Sequence, residues 1–132
     1  MPISYAIDPE KGIVTTTMSG VLSFDECTEH HRRLGADPAF DPSYGELMDG
    51  GGVERVALLS TAVFSLSNTC PYGPTAIRAI FAGNKRLHFG IARMFQSLAS
   101  GRHGTIEVFN DREEALQWLE SKMASARQSE NT

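Results

Sequence analysis

The side chains of this 132-residue chain best suited to nucleophilic or acid–base chemistry are two cysteines and four histidines. A cysteine attacks as the thiolate, which needs an adjacent base or positively charged surroundings. Cys27 and Cys70 are the candidate nucleophiles, and the candidate bases are His31, His88 and His103. Both cysteines fall on apolar faces of predicted helices, where thiols are usually inert. An enzyme is therefore the least favoured function.

The first predicted helix carries a histidine inside its apolar stripe. At about 100° per residue, one face of this helix contains Phe24, Cys27, His31 and Leu34. Its neighbour His30 lies at the flank. The sequence supplies His31 with no metal partner or nucleophile, so we expect a buried structural imidazole with a satisfied ring nitrogen.

Asp49 ends a short apolar strand and is followed by three glycines, residues 50–52. In open α/β sheets ligands and partners bind beyond the carboxyl ends of the strands, so we expect the functional site around Asp49. The glycines predict a flexible or tightly turning loop, and the backbone amides of Gly50 and Gly51 are candidates for holding an anion. No Lys-Ser/Thr pair follows them, so the phosphate-loop motif is absent.

A second group of candidate binding residues lies at the third predicted helix, which Asn84 is expected to cap. Lys85 and Arg86 precede free backbone amides at the helix start, a place that attracts phosphates and carboxylates. On the helical wheel an apolar face that includes Leu87 and Ile91 lies opposite a polar face that includes Arg93 and Gln96, and Phe89 falls among the bases of the polar face. Aromatic residues and arginine are enriched at protein interfaces, so Phe89 is a candidate anchor. The alternative is that neighbouring loops cover its ring.

Alternating strands and helices must position these residues. A period-two pattern at residues 3–7 and a run rich in β-branched residues at 13–18 predict a hairpin of two strands. Later strands are predicted at residues 44–49, 75–82 and 105–109, and helix caps at Ser23 with Glu26, Ser60, Asn84, and Asp111 with Glu114. The order β-β-α-β-α-β-α-β-α predicts an α/β fold with a mixed, mostly parallel sheet flanked by helices.

Length, composition and charge limit the function classes. With 41% hydrophobic and 21% charged residues, we expect a single domain over residues 1–124 and a disordered polar tail over 125–132. No window approaches the ~20 apolar residues of a membrane span, and no signal peptide is evident, so we expect a cytoplasmic protein. The net charge of −4 includes a stretch, residues 55–106, with six bases and no acid. An acidic chain without a reading module does not favour nucleic-acid binding.

Four short motifs occur in order along nearly the whole chain. They are Ile7-Asp8-Pro9, Leu47-Met48-Asp49, Phe89-Gly90-Ile91-Ala92-Arg93-Met94-Phe95, and Val108-Phe109-Asn110-Asp111 leading to Glu114-Ala115-Leu116-Gln117-Trp118-Leu119. In these the chain resembles the STAS class, named for sulphate transporters and anti-sigma-factor antagonists, and more closely its bacterial SpoIIAA-like branch. The resemblance implies a small cytoplasmic domain without cofactor that binds a protein partner or forms a homodimer.

The resemblance also implies a phosphorylation switch, which this chain matches in part. Anti-sigma-factor antagonists are phosphorylated on a Ser or Thr directly after an Asp at the end of the central strand. Asp49 matches that acid, but Gly50 follows it, and the nearest hydroxyls are Ser60 and Thr61. A phosphate on Ser60 would lie at a helix amino terminus, where it is favoured.

Three functions remain open at this point. The first is a regulatory protein-binding module that uses the 49–52 loop and the Phe89 helix face. The second is a carrier or sensor of a small apolar or anionic ligand, because the fold also resembles lipid-binding domains of the SEC14 type. The third is the thiol enzyme. The predicted partner- or ligand-binding residues are Asp49, Gly50, Gly51, Ser60, Lys85, Arg86, Phe89 and Arg93.

Overall fold

Five strands and four helices alternate along residues 2–130, the part of the chain that the computed structural model describes. Their order is β1 (Ile3–Asp8), β2 (Ile13–Ser23), α1 (Phe24–Ala36), β3 (Gly45–Ala57), α2 (Ser60–Thr69), β4 (Ile77–Phe81), α3 (Arg86–Ala99), β5 (Thr105–Phe109) and α4 (Arg112–Glu130). This order confirms the predicted sequence of elements.

The strands form one sheet in the order β1-β2-β3-β4-β5, so β3 is central. β1 and β2 pair antiparallel through the hairpin, and the remaining neighbours pair parallel. Parallel neighbours need a crossover connection, which α1, α2 and α3 supply. The predicted mixed, mostly parallel sheet is therefore confirmed.

The helices cover the two faces of the sheet unequally. On one face, which we call the three-helix face, side chains such as Ile80 and Val108 pack against α3, and Leu22 packs with Cys27 of α1 and Leu66 of α2. On the opposite face, the α4 face, Leu47 and its neighbours pack against α4. Because strand side chains alternate between faces, residues 46, 48 and 50 of β3 point to the three-helix face and residues 47 and 49 to the α4 face.

The three glycines lie inside β3, so the predicted loop is wrong. β3 continues past Phe81, where β4 ends, and stays paired with β2 as far as Ala57. Glycine is needed at this crossing because a Cβ on Gly51 would lie 2.8 Å from Phe81 Cε2 and one on Gly50 would lie 3.0 Å from the Phe81 oxygen. Glycine at these positions allows β3 to pack closely against the end of β4 and does not form a turn.

Two of the four predicted helix caps are confirmed. Ser23 Oγ accepts from the Glu26 amide at 3.3 Å, and Asp111 Oδ1 accepts from the amides of residues 113 and 114. The caps predicted at Ser60 and Asn84 are wrong. Leu59 and Lys85 hold the N-cap positions, and neither side chain caps its helix with a hydrogen bond. Their backbone oxygens are the first acceptors of α2 and α3.

The last helix is longer than expected. α4 continues to Glu130, so the tail predicted to be disordered is helical over residues 125–130. Ala126, Arg127 and Gln128 are good helix formers, which favours continuation of the helix without burial. Residues 131 and 132 lie outside the described residues.

Candidate functional site

A pocket of about 130 Å³ opens between the three-helix face of the sheet and its helices. The sheet contributes Met18, Met48 and Ile80, α2 contributes Leu66, and α3 contributes Ile91 and Phe95. Gly50 also lines it, since the absence of a side chain there leaves the sheet surface open. Its walls are almost entirely apolar apart from three histidines. We call this cavity the apolar pocket.

Two of these histidines, His30 and His31, come from α1. His30 is 7% exposed and its ring lies 5.8 Å from that of Tyr5 in an edge-on arrangement. The expected flank position of His30 is therefore wrong, because the buried stripe of α1 is Cys27, His30 and Leu34. Phe24, expected inside, is 39% exposed. The helix is rotated from the predicted orientation, which leaves His31 half-buried.

The environment of the pocket keeps its imidazoles neutral. Burial, together with the neighbouring His30 and Arg78, lowers the pKa of His31 to about 3. Burial also lowers the pKa of His30. At the start of α3, burial and the Lys85 ammonium lower the pKa of His88, the third histidine of the pocket. Each ring therefore offers one donor and one acceptor nitrogen at pH 7.

A buried ion pair lies behind the histidines. Glu46 and Arg78 are neighbours on β3 and β4, with both side chains 1% exposed and Arg78 Nε 3.0 Å from Glu46 Oε1. The second carboxylate oxygen accepts from the Thr16 hydroxyl at 2.9 Å. Arg78 also donates to the His103 carbonyl and stacks over the Tyr72 ring, 4.3 Å from its centroid. These contacts satisfy the two charges within the core.

His103 is the remaining histidine of the predicted thiol chemistry. Its Nδ1 lies 2.8 Å from the Tyr72 carbonyl, so this nitrogen donates and holds the loop before β5 against the chain before β4. It does not line the apolar pocket.

The surroundings of both cysteines favour the protonated thiol over the reactive thiolate. Burial, with the Glu26 charge, raises the pKa of Cys27 to about 11, and burial raises the pKa of Cys70. Both thiols are free and buried. Within residues 2–130 no group of three or more His, Cys, Asp or Glu side chains could hold a metal ion.

The predicted Asp49 site is divided between the two faces of the sheet. The Asp49 carboxylate accepts from Arg112 Nε at 2.8 Å and from the Gly51 amide at 3.0 Å, on the side of α4. Gly50 faces the apolar pocket instead. Ser60 is the exposed first residue of α2. The arrangement therefore does not bring Asp49 together with the bases of α3.

The predicted binding face of α3 is also rotated. Phe89 is partly buried and packs on the core around Ile80. Gln96, expected on the polar face, donates from Nε2 to the Ile106 oxygen at 2.7 Å. Lys85 Nζ bonds the Glu54 oxygen at 2.6 Å. The exposed residues of α3 include Arg86, Leu87 and Arg93.

No pattern in the sequence predicted the apolar pocket itself. Its walls come from residues between positions 18 and 95, each of which also fits an ordinary core pattern. One feature is consistent with a site here. Three large apolar residues are mainly exposed, and each is next in sequence to a residue that lines the pocket; they are Leu59, Phe64 and Leu87. An apolar surface that continues outside a cavity is typical of a binding site.

Comparison with solved structures identifies the fold. An uncharacterised DUF3478-family protein with a SpoIIAA-like fold, from Shewanella loihica, is 18% identical with a TM-score of 0.57, over 89% of this chain and 91% of that chain. This chain has a SpoIIAA-like fold. Comparisons with protein-family models and with curated proteins gave no match. Within residues 2–130 of the SpoIIAA-like chain, no helix has the length and hydropathy needed to cross a membrane.

Proposed function

We propose that this SpoIIAA-like chain is a non-catalytic binding domain that carries or senses a small, largely apolar ligand. The observation that carries the proposal is the apolar pocket, an open cavity with walls from the sheet and all three crossover helices. Ligand sites are typically concave and apolar with a few polar groups, and this pocket fits that description. Ligand binding would also be regulatory if the ligand-bound and empty proteins differed in structure at the helix ends beside the pocket.

The size of the pocket limits the ligand. A dry cavity of roughly 150 Å³ accepts a molecule the size of benzene. The present cavity measures about 130 Å³. One aromatic ring or a short alkyl chain therefore fits, whereas both chains of a phospholipid exceed the space. The nearby buried thiols with raised pKa values support a binding role over thiol catalysis.

Methyl NMR provides the test, because the methionines report on both faces of the sheet. Met18 and Met48 line the pocket, and Met123 lies in the core of the α4 face. With ¹³C-methyl methionine, titration with p-xylene should shift the Met18 and Met48 signals in a saturable way and leave Met123 unchanged. A lack of response, or an equal response at all three methyls, would contradict the proposal.

A pair of variants on α3 gives an independent control. Ile91 lines the pocket, whereas Ser97 is exposed on the same helix. Ile91→Trp should fill the pocket and abolish p-xylene binding, and Ser97→Trp should bind as the wild type does. Native mass spectrometry of freshly purified wild type and Ile91→Trp then asks whether a retained ligand disappears with the pocket.

A second candidate function is binding of a protein partner or a second copy of the chain. It is favoured by the exposure of Leu59 (77%) and Leu87 (71%) at the starts of α2 and α3 and of Phe64 (56%) within α2. Large exposed apolar groups are frequent at interfaces. Sedimentation of wild type and a Leu59→Ser/Leu87→Ser variant tests it: a dimer that becomes monomeric supports self-association, and a monomeric wild type rejects the predicted homodimer.

A further inference from the structure

His30 and His31 are polar groups in an otherwise apolar wall, and their hydrogen bonds are incomplete. His30 is 7% exposed, and neither ring nitrogen has a hydrogen-bond partner within residues 2–130. Its nitrogens are not sealed off, because Tyr72 Oη is the single fully enclosed, unpartnered side-chain polar atom in that part of the chain. An accessible ring nitrogen without a partner in the protein is a point at which a ligand group can form a hydrogen bond.

The hydrogen bonds of Thr69 determine which nitrogen of His31 is free. The Thr69 hydroxyl donates its one proton to the Leu66 oxygen at 3.3 Å. Its oxygen lies 2.9 Å from His31 Nδ1, and a hydroxyl whose proton is directed at Leu66 accepts from Nδ1 in that bond. In this tautomer of the neutral imidazole, Nε2 is an acceptor. Nε2 has no partner among the described residues, and His31 is one of the residues that line the apolar pocket.

We propose that the ligand of the apolar pocket is an uncharged, ring-sized or short-chain molecule bearing a hydroxyl group, which donates to Nε2 of His31 beside the His30 ring. This deepens the proposed function and rests on it. The acceptor nitrogen selects a donor, and an aliphatic alcohol and a phenol both supply one. A carboxylate has no proton to give, and burying its charge against the apolar walls would be costly.

A matched pair of ligands isolates the hydroxyl. p-Cresol and p-xylene have nearly the same shape and differ by a hydroxyl in place of a methyl. Their dissociation constants are measured by titration of the Met18 and Met48 methyl signals in wild type and in His31→Phe. The ratio of p-cresol to p-xylene affinity should fall about tenfold in His31→Phe, the value of one hydrogen bond, while p-xylene affinity is kept.

Two further measurements keep the test decisive if His31→Phe disturbs the pocket. His31→Gln retains a side-chain acceptor and should preserve part of the p-cresol preference. In the wild type, ¹⁵N spectra of histidine should show Nε2 of His31 unprotonated in the free protein, and this signal should move with p-cresol and not with p-xylene.

The outcomes distinguish the proposal of a hydroxyl-bearing ligand from the proposal that the pocket binds a ligand at all. If neither compound moves the Met18 and Met48 signals, the apolar pocket is not a ligand site and both proposals fail. If both bind and the affinity ratio is unchanged in His31→Phe, the hydroxyl proposal fails and the apolar site stands. Protonated Nε2 in the free protein, or 4-methylbenzoate binding more tightly than p-cresol, would also overturn it.

Discussion

Glu46 and Arg78 place two full charges in the centre of the sheet, directly behind the histidines of the apolar pocket. Each charge is neutralised by the other, and Thr16 and the His103 carbonyl supply further hydrogen bonds. Removal of two ions from water is costly, so such a pair adds little net stability, although loss of one partner is severe. The pair fixes the facing positions of β3 and β4, and through them the floor of the pocket.

The first prediction concerns this pair. Arg78→Leu should lower the free energy of unfolding by about 3–5 kcal/mol, because Glu46 is left buried without a counter-ion. Glu46→Leu/Arg78→Leu should recover much of that loss, since both charges are gone. Urea unfolding measures all three proteins. Arg32→Ala, which breaks the exposed pair with Glu29, should leave the urea midpoint close to that of the wild type. A double variant no more stable than Arg78→Leu would contradict the argument.

The second prediction follows from the lowered pKa of His31. Its pKa is about 3 in the folded protein and near 6.5 in an unfolded chain. Between these two pH values the unfolded state binds more protons than the folded state. The contribution of His31 to the free energy of unfolding is therefore fully present above about pH 6.5 and is lost as the pH falls, by up to about 1.4 kcal/mol per pH unit. Asp37 and Asp41 also have lowered pKa values, but their protonation affects stability only at more acidic pH. Measurements between about pH 5 and 6.5 therefore report mainly on the histidines.

Urea unfolding at several pH values between 5 and 7 checks this dependence. The His31→Gln variant should lose stability less steeply than the wild type as the pH falls. Part of the slope should remain in the variant, because burial also lowers the pKa of His30. Identical slopes in the two proteins would show that His31 is not held neutral by its surroundings.

At the scale of elements, the orientation of α3 decides which of its residues are free to bind. The helix turns Phe89 and Gln96 toward the sheet and leaves Leu87 71% exposed at its start. A helical wheel centred on Leu87 and Ile91 predicts a different buried face. The difference arises because α3 packs against both β5 and α2, so that no single apolar stripe describes its contacts.

The third prediction separates packing from binding on α3. Phe89→Ala should lower the free energy of unfolding by about 1–3 kcal/mol, since the ring packs on the core and is only partly buried. Arg93→Glu, at an exposed position, should stay within about 0.5 kcal/mol of the wild type. Arg93→Glu is therefore the appropriate test of a partner site on this helix. An unchanged stability in Phe89→Ala would restore Phe89 as a binding anchor.

At the scale of the whole molecule, the layers of helices are unequal. Three helices enclose the apolar pocket on one side of the sheet, whereas α4 covers the other side from β3 to β5. Leu119 is fully buried in that second layer, and residues 124–129 are exposed. Only the first part of α4 therefore closes the core.

The fourth prediction uses this division of α4. Truncation after residue 124 should change the free energy of unfolding by no more than about 0.5 kcal/mol, because the side chains of residues 125–129 are exposed. Leu119→Ala, inside the same helix, should cost about 2–5 kcal/mol through the cavity it leaves. Chemical denaturation of both proteins measures the difference. A large loss on truncation would place the domain boundary beyond residue 124.

The sequence by itself determined the features that depend on neighbouring residues. Strand and helix periodicity set the order of elements and the mixed sheet, and the side-chain oxygens of Ser23 and Asp111 set two helix starts. These signals are local, because hydrogen bonds within a turn and alternation along a strand involve residues a few positions apart. The SpoIIAA-like resemblance rests on that same order of motifs.

Tertiary structure decided the rest, because it depends on contacts between distant segments. Gly51 belongs to a strand since Phe81, thirty residues later, passes against it. Asp49 is engaged by Arg112 on the α4 face, and His30 is buried because α1 is rotated toward Tyr5. The apolar pocket exists only where the sheet and three helices meet, and a pattern within one helix or strand cannot distinguish its walls from an ordinary core.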